Sequence, residues 1–255
     1  MAARVTWPLS CSVKASLICS SGYLWEITRP HETQAFGLAT TGGVVGETGI
    51  AGLTLGGGVG WLVRKYGLAC DNLLAADVVT ADGQLRRATV NENAELFWGL
   101  RGGGGNFGVV TAFQYRLHSV PAILGGLVIH PRAAARDVIR FHRDFVATAP
   151  EELTSYVALL TAPDGLPVVG VATCYCGDLR EGERVLAPLR KFGSPLVDQM
   201  QPMQDGVELL DALEQGAGDL DGRDLALAIA GAQLTDGRIG DVVTHGCPPS
   251  LRART

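Results

Sequence analysis

The sequence predicts an α+β fold in two successive units, a mixed first unit that contains a hairpin and a second built on an antiparallel sheet, and three observations carry that expectation. Periodic segments over residues 119–203 follow the order β-α-β-β-α-β, the ferredoxin-like arrangement with helices on one face of an antiparallel sheet. Two strand-like segments, 73–80 and 84–90, flank Ala81-Asp82-Gly83 and read as a hairpin. Residues 92–100 then read as a helix and 108–117 as a β-branched, aromatic strand, so the first unit mixes both element types.

Taken in order, residues 1–32 show no usable periodicity, and Trp7, Tyr23 and Trp25 sit there without pattern, so the segment is unassigned. Residues 32–37 read as a short helical end stopped by Gly37. Residues 60–67 read as one or two helical turns closed by Gly67. The Asp82-Gly83 pair favours a primed hairpin turn, and Asn91 is placed to cap the helix that follows. The second unit opens near 119, with a strand over 123–129. Val138, Ile139, Phe141, Phe145 and Val146 give helical spacing over 132–147. Strands over 153–161 and 166–176 bracket a turn at 162–165, and a helix over 181–192 precedes a last strand over 195–203. Residues 206–255 contain no aromatic side chain, and 207–213 and 225–232 are helix candidates. The expected organisation is an unassigned segment 1–32, units 33–118 and 119–203, and an uncertain segment 204–255. Both end segments are expected to pack less well than 33–203.

A chain of 255 residues suffices for one large domain or two modest ones. Apolar residues at 47% and charged residues at 18% mark a globular chain. A net charge of −5, with no basic run, argues against a nucleic-acid partner. No apolar run is long enough for a bilayer, and Lys14 interrupts the only mildly apolar N-terminal stretch, which lacks a secretory cleavage pattern. The six cysteines show no zinc spacing, so free thiols in a cytoplasmic protein are the default. No two of the five histidines stand at metal-ligand spacing, so no metal is expected. His142, among charged residues, reads as solvated.

Glycine dominates two stretches, 42–60 and 102–108. Clustered backbone N–H groups form nests for phosphate-bearing ligands, yet the same glycines also suit tight turns between strands; glycine content alone leaves both readings open. Gly103-Gly104-Gly105-Asn106-Phe107-Gly108 fits G-x-G-x-x-G, but a helix precedes it and a strand follows, the reverse of the dinucleotide-binding order. No P-loop and no G-x-S-x-G elbow occurs. The acid–base candidates Asp71, Asp77 and Asp82 read as turn or surface residues.

Several motifs together resemble the FAD-linked oxidases of the vanillyl-alcohol oxidase type, with a PCMH-type FAD-binding domain, in the berberine-bridge-enzyme-like branch. They are residues 33–45 (TQAFGLATTGGVV), 49–61, Arg64-Lys65-Tyr66-Gly67-Leu68, Cys70-Asp71-Asn72-Leu73-Leu74, residues 78–83, Glu95-Leu96-Phe97-Trp98 and 101–110. The likeness runs from Thr33 to His118, and residues 119–203 are similar to the start of the family's substrate domain. It implies FAD as cofactor, a small-molecule substrate, hydride transfer to the flavin and reoxidation by O2. Thr41, Gly42, Gly43, Gly49, Gly52, Gly56, Gly57 and Gly58 would line the cofactor. Asn72 and Leu73 would approach it, while Gly105, Asn106, Phe107, Gly108, Val109 and Val110 would hold the adenine side. There are departures. Nothing in residues 1–32 matches the family's Arg-Gly-Gly-Gly-His-type loop, His31 included, and Val45 falls where some members carry a second, cysteinyl flavin link. Any flavin is therefore expected to be non-covalent. No catalytic base is readable, and the chain looks like the middle of a longer protein. The rival readings are a non-catalytic remnant of that fold with weak or no FAD binding, and a Rossmann-type NAD-dependent enzyme.

Overall fold

A computed structural model describes residues 4–6, 16–20, 33, 36–44, 48–162 and 165–203, and the chain divides into two units between Pro121 and Ala122. In the first unit, strands β1 (Arg4–Thr6), β2 (Ser16–Ser20), β4 (Leu73–Val79), β5 (Leu85–Thr89) and β6 (Val109–Arg116) form one sheet in the order β1-β2-β6-β4-β5. Every pairing in it is antiparallel. A two-residue ribbon joins β3 (Leu38–Ala39) to β7 (His118–Ser119). Helices α1 (Ile50–Leu55), α2 (Val63–Tyr66) and α3 (Ala94–Leu100) complete the unit. Its core gathers Ile50, Leu73, Ala76, Val78, Phe97, Val110, Phe113 and Tyr115.

Two expectations need correcting here, and two stretches left unassigned from the sequence gain elements. Residues 1–32 include Ser16–Ser20, which pairs along β6 from Arg116 to Ala112. Strands of three and five residues are too short to display alternation that a sequence reading can trust. The hairpin turn is not a primed type. Such a turn needs φ > 0 at its first central residue, whereas in the 80–84 turn only Gly83 takes positive φ, at +74°. The Gly83 N–H donates to Thr80 O at 2.8 Å, and the Thr80 N–H to Gln84 O at 3.0 Å, enclosing a three-residue loop. The Asp82 carboxylate selects this form by accepting from the Thr80 hydroxyl at 2.5 Å and the Gln84 N–H at 3.2 Å. Asn91 does not cap α3, because the Thr89 hydroxyl oxygen accepts from the N–H groups of Asn91 and Glu92 at 3.2 and 3.0 Å, and the helix starts later. Asn93 takes the cap position in the left-handed region, its Nδ2 donating to Arg87 O at 2.7 Å. Helix α1, inside the first glycine cluster, was not expected at all. Its glycines disfavour helix, but burial of Ile50, Thr54 and Leu55 outweighs that, and the Thr54 hydroxyl meets the buried Tyr115 hydroxyl at 2.6 Å. Gly37 does end its turn, at φ +62°, with the Leu38 N–H reaching back to Thr33 O at 3.1 Å.

The second unit follows the expected order: β8 (Ile123–Pro131), α4 (Ala135–Ala147), β9 (Leu153–Thr161), β10 (Pro167–Tyr175), α5 (Leu179–Lys191), β11 (Val197–Asp198) and β12 (Gln201–Met203). The sheet order is β11-β8-β10-β9, with β12 also on β8, all antiparallel. This is the ferredoxin-like order, its last strand split in two. The split has a local cause: Gly126 in β8 adopts φ +148°, and a Cβ there would lie 2.4 Å from Gln199 O, so the edge chain bulges toward a residue with no side chain. Helix α5 begins two residues before the expected 181 because the Asp178 carboxylate accepts from the N–H groups of Arg180 and Glu181, both at 3.0 Å. Leu124, Val128, Val138, Leu153, Val171, Tyr175, Leu186 and Leu189 fill the space between sheet and helices. The turn residues 163 and 164 and the helix candidates 207–213 and 225–232 lie outside the described residues.

His142 on α4 is not solvated: its Nε2 meets Ser155 Oγ on β9 at 2.8 Å, and burial pushes its pKa down to about 4. The folded pKa lies below the unfolded value, so the unfolded chain binds the extra proton. Stability is therefore full above about pH 6.5 and declines as pH falls toward 4, by at most about 3 kcal/mol. Denaturant unfolding of the second unit should show this slope. In His142→Gln, which keeps a hydrogen-bonding group but does not titrate, the slope should flatten; an unchanged slope would contradict the assignment.

Candidate functional site

The site is best built from the ribbon β3–β7, which sets Ala39 opposite His118 and delivers the chain into Thr40, Thr41, Gly42 and Gly43. These four residues are buried. The Thr41 hydroxyl donates to Gly67 O at 2.8 Å. Asn72, 1% exposed, directs Nδ2 at Tyr66 O and Leu68 O, both at 2.9 Å, and at Thr41 Oγ1 at 3.3 Å. Gly67 ends α2 at φ +77°, which presents its carbonyl to Thr41.

The glycine-rich loop after α1 is stitched to the same region. The Ala69 N–H donates to Gly58 O and the Cys70 N–H to Gly57 O, each at 2.9 Å. The two glycine clusters are joined, the Gly104 N–H donating to Leu55 O at 2.9 Å. Arg101 ties the second cluster down through Cys70 O at 2.9 Å and Asp71 Oδ1 at 3.0 Å.

The glycines separate by what a Cβ would meet. At Gly58 it would lie 2.5 Å from Ala69 Cβ, at Gly103 2.4 Å from Gly99 O, and at Gly108 2.3 Å from Val79 O. These are required by the fold's own close approaches. At Gly49, Gly52 and Gly105 a Cβ meets nothing within 4 Å, and all three are exposed; Gly56 is exposed and Gly57 half-buried, with nearest atoms at 3.3 and 3.9 Å. Leu73 and Val110 point their side chains into the core, leaving only backbone for a ligand. Asn106 is spent on its own turn, Nδ2 donating to Gly103 O at 2.8 Å. Phe107 lies over Gly99 and Gly103, and Val109 is exposed. Thus Thr41, Gly42, Gly43, Asn72 and the Gly56–58 loop form one connected group, and residues 105–110 a second, linked to it through Gly104 and Leu55. Val45 lies outside the described residues.

An extended dinucleotide fits this surface on two observations. Gly49, Gly52 and Gly105 offer backbone with open space above it. Thr40 Oγ1, at the start of the Thr40–Gly43 stretch, is buried with no hydrogen-bond partner among the described residues. Buried hydroxyls are normally satisfied.

The acid–base candidates go elsewhere. Asp71 accepts from Arg101 and the Leu68 N–H, and Asp77 from Arg87. The Thr80 hydroxyl, then the Arg86 guanidinium, hold Asp82 well below the usual carboxylate range. In the second unit, burial and then Cys174 push the Tyr156 phenol upward, away from the value a base needs. The sequence reading passed over Thr40 and His118 as site residues; a threonine next to Thr41-Gly42-Gly43 was the available signal for the first, and nothing local marked the second. No group of three metal-ligating side chains occurs among the described residues, and no helix among them is long and apolar enough to cross a membrane.

Comparison with known proteins bears on this arrangement. The family model described as "FAD binding domain" matches residues 26–89. A curated FAD-linked oxidoreductase, pgmH of Aspergillus terreus, is 39% identical over 166 residues, which is 63% of this chain and 34% of that protein. Among solved structures, 6-hydroxy-D-nicotine oxidase from Arthrobacter nicotinovorans superposes with a TM-score of 0.71 at 32% identity, covering 81% of this chain and 46% of that one. The berberine-bridge-enzyme-like protein 1 of Physcomitrella patens shares the fold at a TM-score of 0.68 and 20% identity, over 87% of this chain and 47% of that one. The chain thus spans about a third of that curated relative and under half of either solved chain.

Proposed function

The chain belongs to the FAD-linked oxidoreductases of the vanillyl-alcohol oxidase type, and on that premise we propose that it contributes the glycine-lined part of an FAD cleft and the start of a substrate domain to the oxidation of a small organic molecule. When bound, FAD supplies the chemistry: it accepts a hydride from the substrate and is reoxidised by O2. This chain's residues do the holding. Thr41, Gly42 and Gly43, fixed through Asn72 and Gly67, present buried backbone to the cofactor. Gly49, Gly52, Gly56 and Gly57 leave room for it to pass close to the main chain, Gly58 offers only its backbone, and Gly105 to Val110 hold its adenine side. The reading is carried by the buried Thr40 hydroxyl, which has no partner among the described residues, together with glycines whose faces are open. The substrate is a small molecule, as for the nicotine oxidase that shares the fold, and the same proposal places the protein in the cytoplasm, with Cys70, Cys174 and Cys176 as buried thiols outside any disulfide.

On this proposal the 255 residues themselves hold FAD without a covalent bond, since Val45 cannot form a thioether and residues 1–32 contain no histidine loop of the family's type. Acid precipitation of protein loaded with FAD is expected to leave the yellow colour in the supernatant; colour in the pellet would contradict it. The function itself is tested by FAD titration together with oxygen consumption on alcohol, sugar and cyclic amine substrates. A second reading, a non-catalytic remnant, is favoured by one observation: none of Asp71, Asp77, Asp82 and Tyr156 is available as a base.

A further inference from the structure

We infer that His118 is a positioning residue for the Thr41–Gly43 turn, acting through the amide of Asn72. A chain of hydrogen bonds, each with a fixed direction, joins the histidine to the turn. The carbonyl oxygens of Tyr66 and Leu68 only accept, so the Asn72 edge that faces them at 2.9 Å is the NH2 edge. A flipped amide would press Oδ1 against two carbonyl oxygens. The Thr41 hydroxyl spends its hydrogen on Gly67 O at 2.8 Å and so accepts from Asn72. The Asn72 Oδ1 is thereby turned toward His118 Nε2, 2.6 Å away, and that ring nitrogen must carry a hydrogen. His118 is itself held in place twice: its backbone pairs with Ala39 in the ribbon that leads into the turn, and its ring stacks on Tyr66 with centroids 4.0 Å apart and 21° between planes. Lys65 Nζ lies 5.6 Å from the centroid of the Tyr66 ring. Tyr66 therefore serves both ends of the network, stacking on the histidine with its ring and accepting from Asn72 with its carbonyl.

The consequence is that one imidazole, outside the glycine loops, holds the oxygen edge of an amide whose NH2 edge the Tyr66 and Leu68 carbonyls fix, and so steadies Thr41 and the buried backbone after it. Its functional meaning rests on the proposed cofactor role of that turn, but its geometry is testable without flavin. His118→Leu removes the donor and keeps an apolar body. His118→Gln places an amide N–H near the position of Nε2. Amide hydrogen exchange, followed by mass spectrometry on the protein without FAD, is expected to run about tenfold faster in His118→Leu over residues 40–43 and 66–72, with β4 and β6 unchanged. His118→Gln is expected to restore exchange to within about twofold of the wild type. Exchange in His118→Leu equal to the wild type, equal acceleration in both variants, or acceleration spread over β4 and β6 would overturn the inference. Long-range proton–nitrogen NMR on the wild type gives a reading independent of variant folding: a ring protonated at Nε2 is expected, and a neutral ring protonated only at Nδ1 would overturn it. FAD titration of the wild type decides the cofactor reading separately.

Discussion

Gly60→Ala is expected to destabilise the first unit by about 3 kcal/mol or more, which is a large part of a typical domain's 5–15 kcal/mol. A Cβ at residue 60 would stand 1.7 Å from Gly42 O and 2.8 Å from Gly42 C. Both are backbone atoms in a buried stretch, so no side-chain rotation relieves the overlap, and the Thr41–Gly43 turn must move. Gly108→Ala should act similarly. Its φ of +135° is open in practice only to glycine, and its Cβ would press on Val79 O at 2.3 Å, where β4 pairs with β6. A fall in Tm of about 10 °C or more is expected for each. Gly49→Ala and Gly105→Ala, where a Cβ meets nothing within 4 Å, are expected to shift stability by less than about 0.5 kcal/mol. Thermal unfolding of the four variants checks the contrast. Equal losses in all four would mean that the close approaches are not the source of the glycine requirement.

The isolated 255-residue chain is expected to bind FAD at least two orders of magnitude more weakly than intact relatives and to show no robust oxidase turnover. An extended dinucleotide needs both walls of its cleft. Residues 41–58 and 105–110 provide glycine-rich backbone for one wall, whereas residues 1–32 carry no pyrophosphate loop of the family's type. Charge-assisted hydrogen bonds contribute about 1.5–3 kcal/mol each, so losing two of them lowers affinity by about a hundredfold or more. Among the described residues none of Asp71, Asp77, Asp82 and Tyr156 is placed as a base, and general base catalysis typically contributes roughly a hundred- to ten-thousand-fold. Equilibrium dialysis against FAD, paired with an oxygen electrode, reads both quantities. Tight binding with sustained oxygen uptake would show that segments outside the described residues complete the cleft and the catalytic set.

Much of the fold was legible because its longer elements follow their periods. Residues 153–161 read as a strand and are one. The helix over 132–147 begins with a 3₁₀ turn at Arg132–Ala134 and continues as α4. What failed was short or decided by tertiary contacts. Helix α1 exists because Ile50, Thr54 and Leu55 are buried and Thr54 meets Tyr115, 61 residues away, and no window around residue 50 contains that information. The loop at 80–84 was settled by a side-chain acceptor, Asp82, over the general preference of Asp-Gly. The candidate site shows the same division. Its glycines were visible in sequence, but which of them serve the fold and which face open space depends on neighbours such as Val79 and Ala69. His118 was invisible as a site residue because its partner Asn72 lies 46 residues earlier.

The central claim is that the exposed glycine faces of the first unit form a flavin-binding surface, and flavin fluorescence titration of the wild type beside Gly49→Val and Gly105→Val tests it most directly. Neither added side chain has a described neighbour within 4 Å of its Cβ, so circular dichroism and Tm should stay at wild-type values while branched carbons fill the space above the backbone. The account predicts weak, saturable FAD binding by the wild type and a loss of about tenfold or more in each variant. No saturable binding by the wild type, or variants that bind FAD as the wild type does, would contradict it.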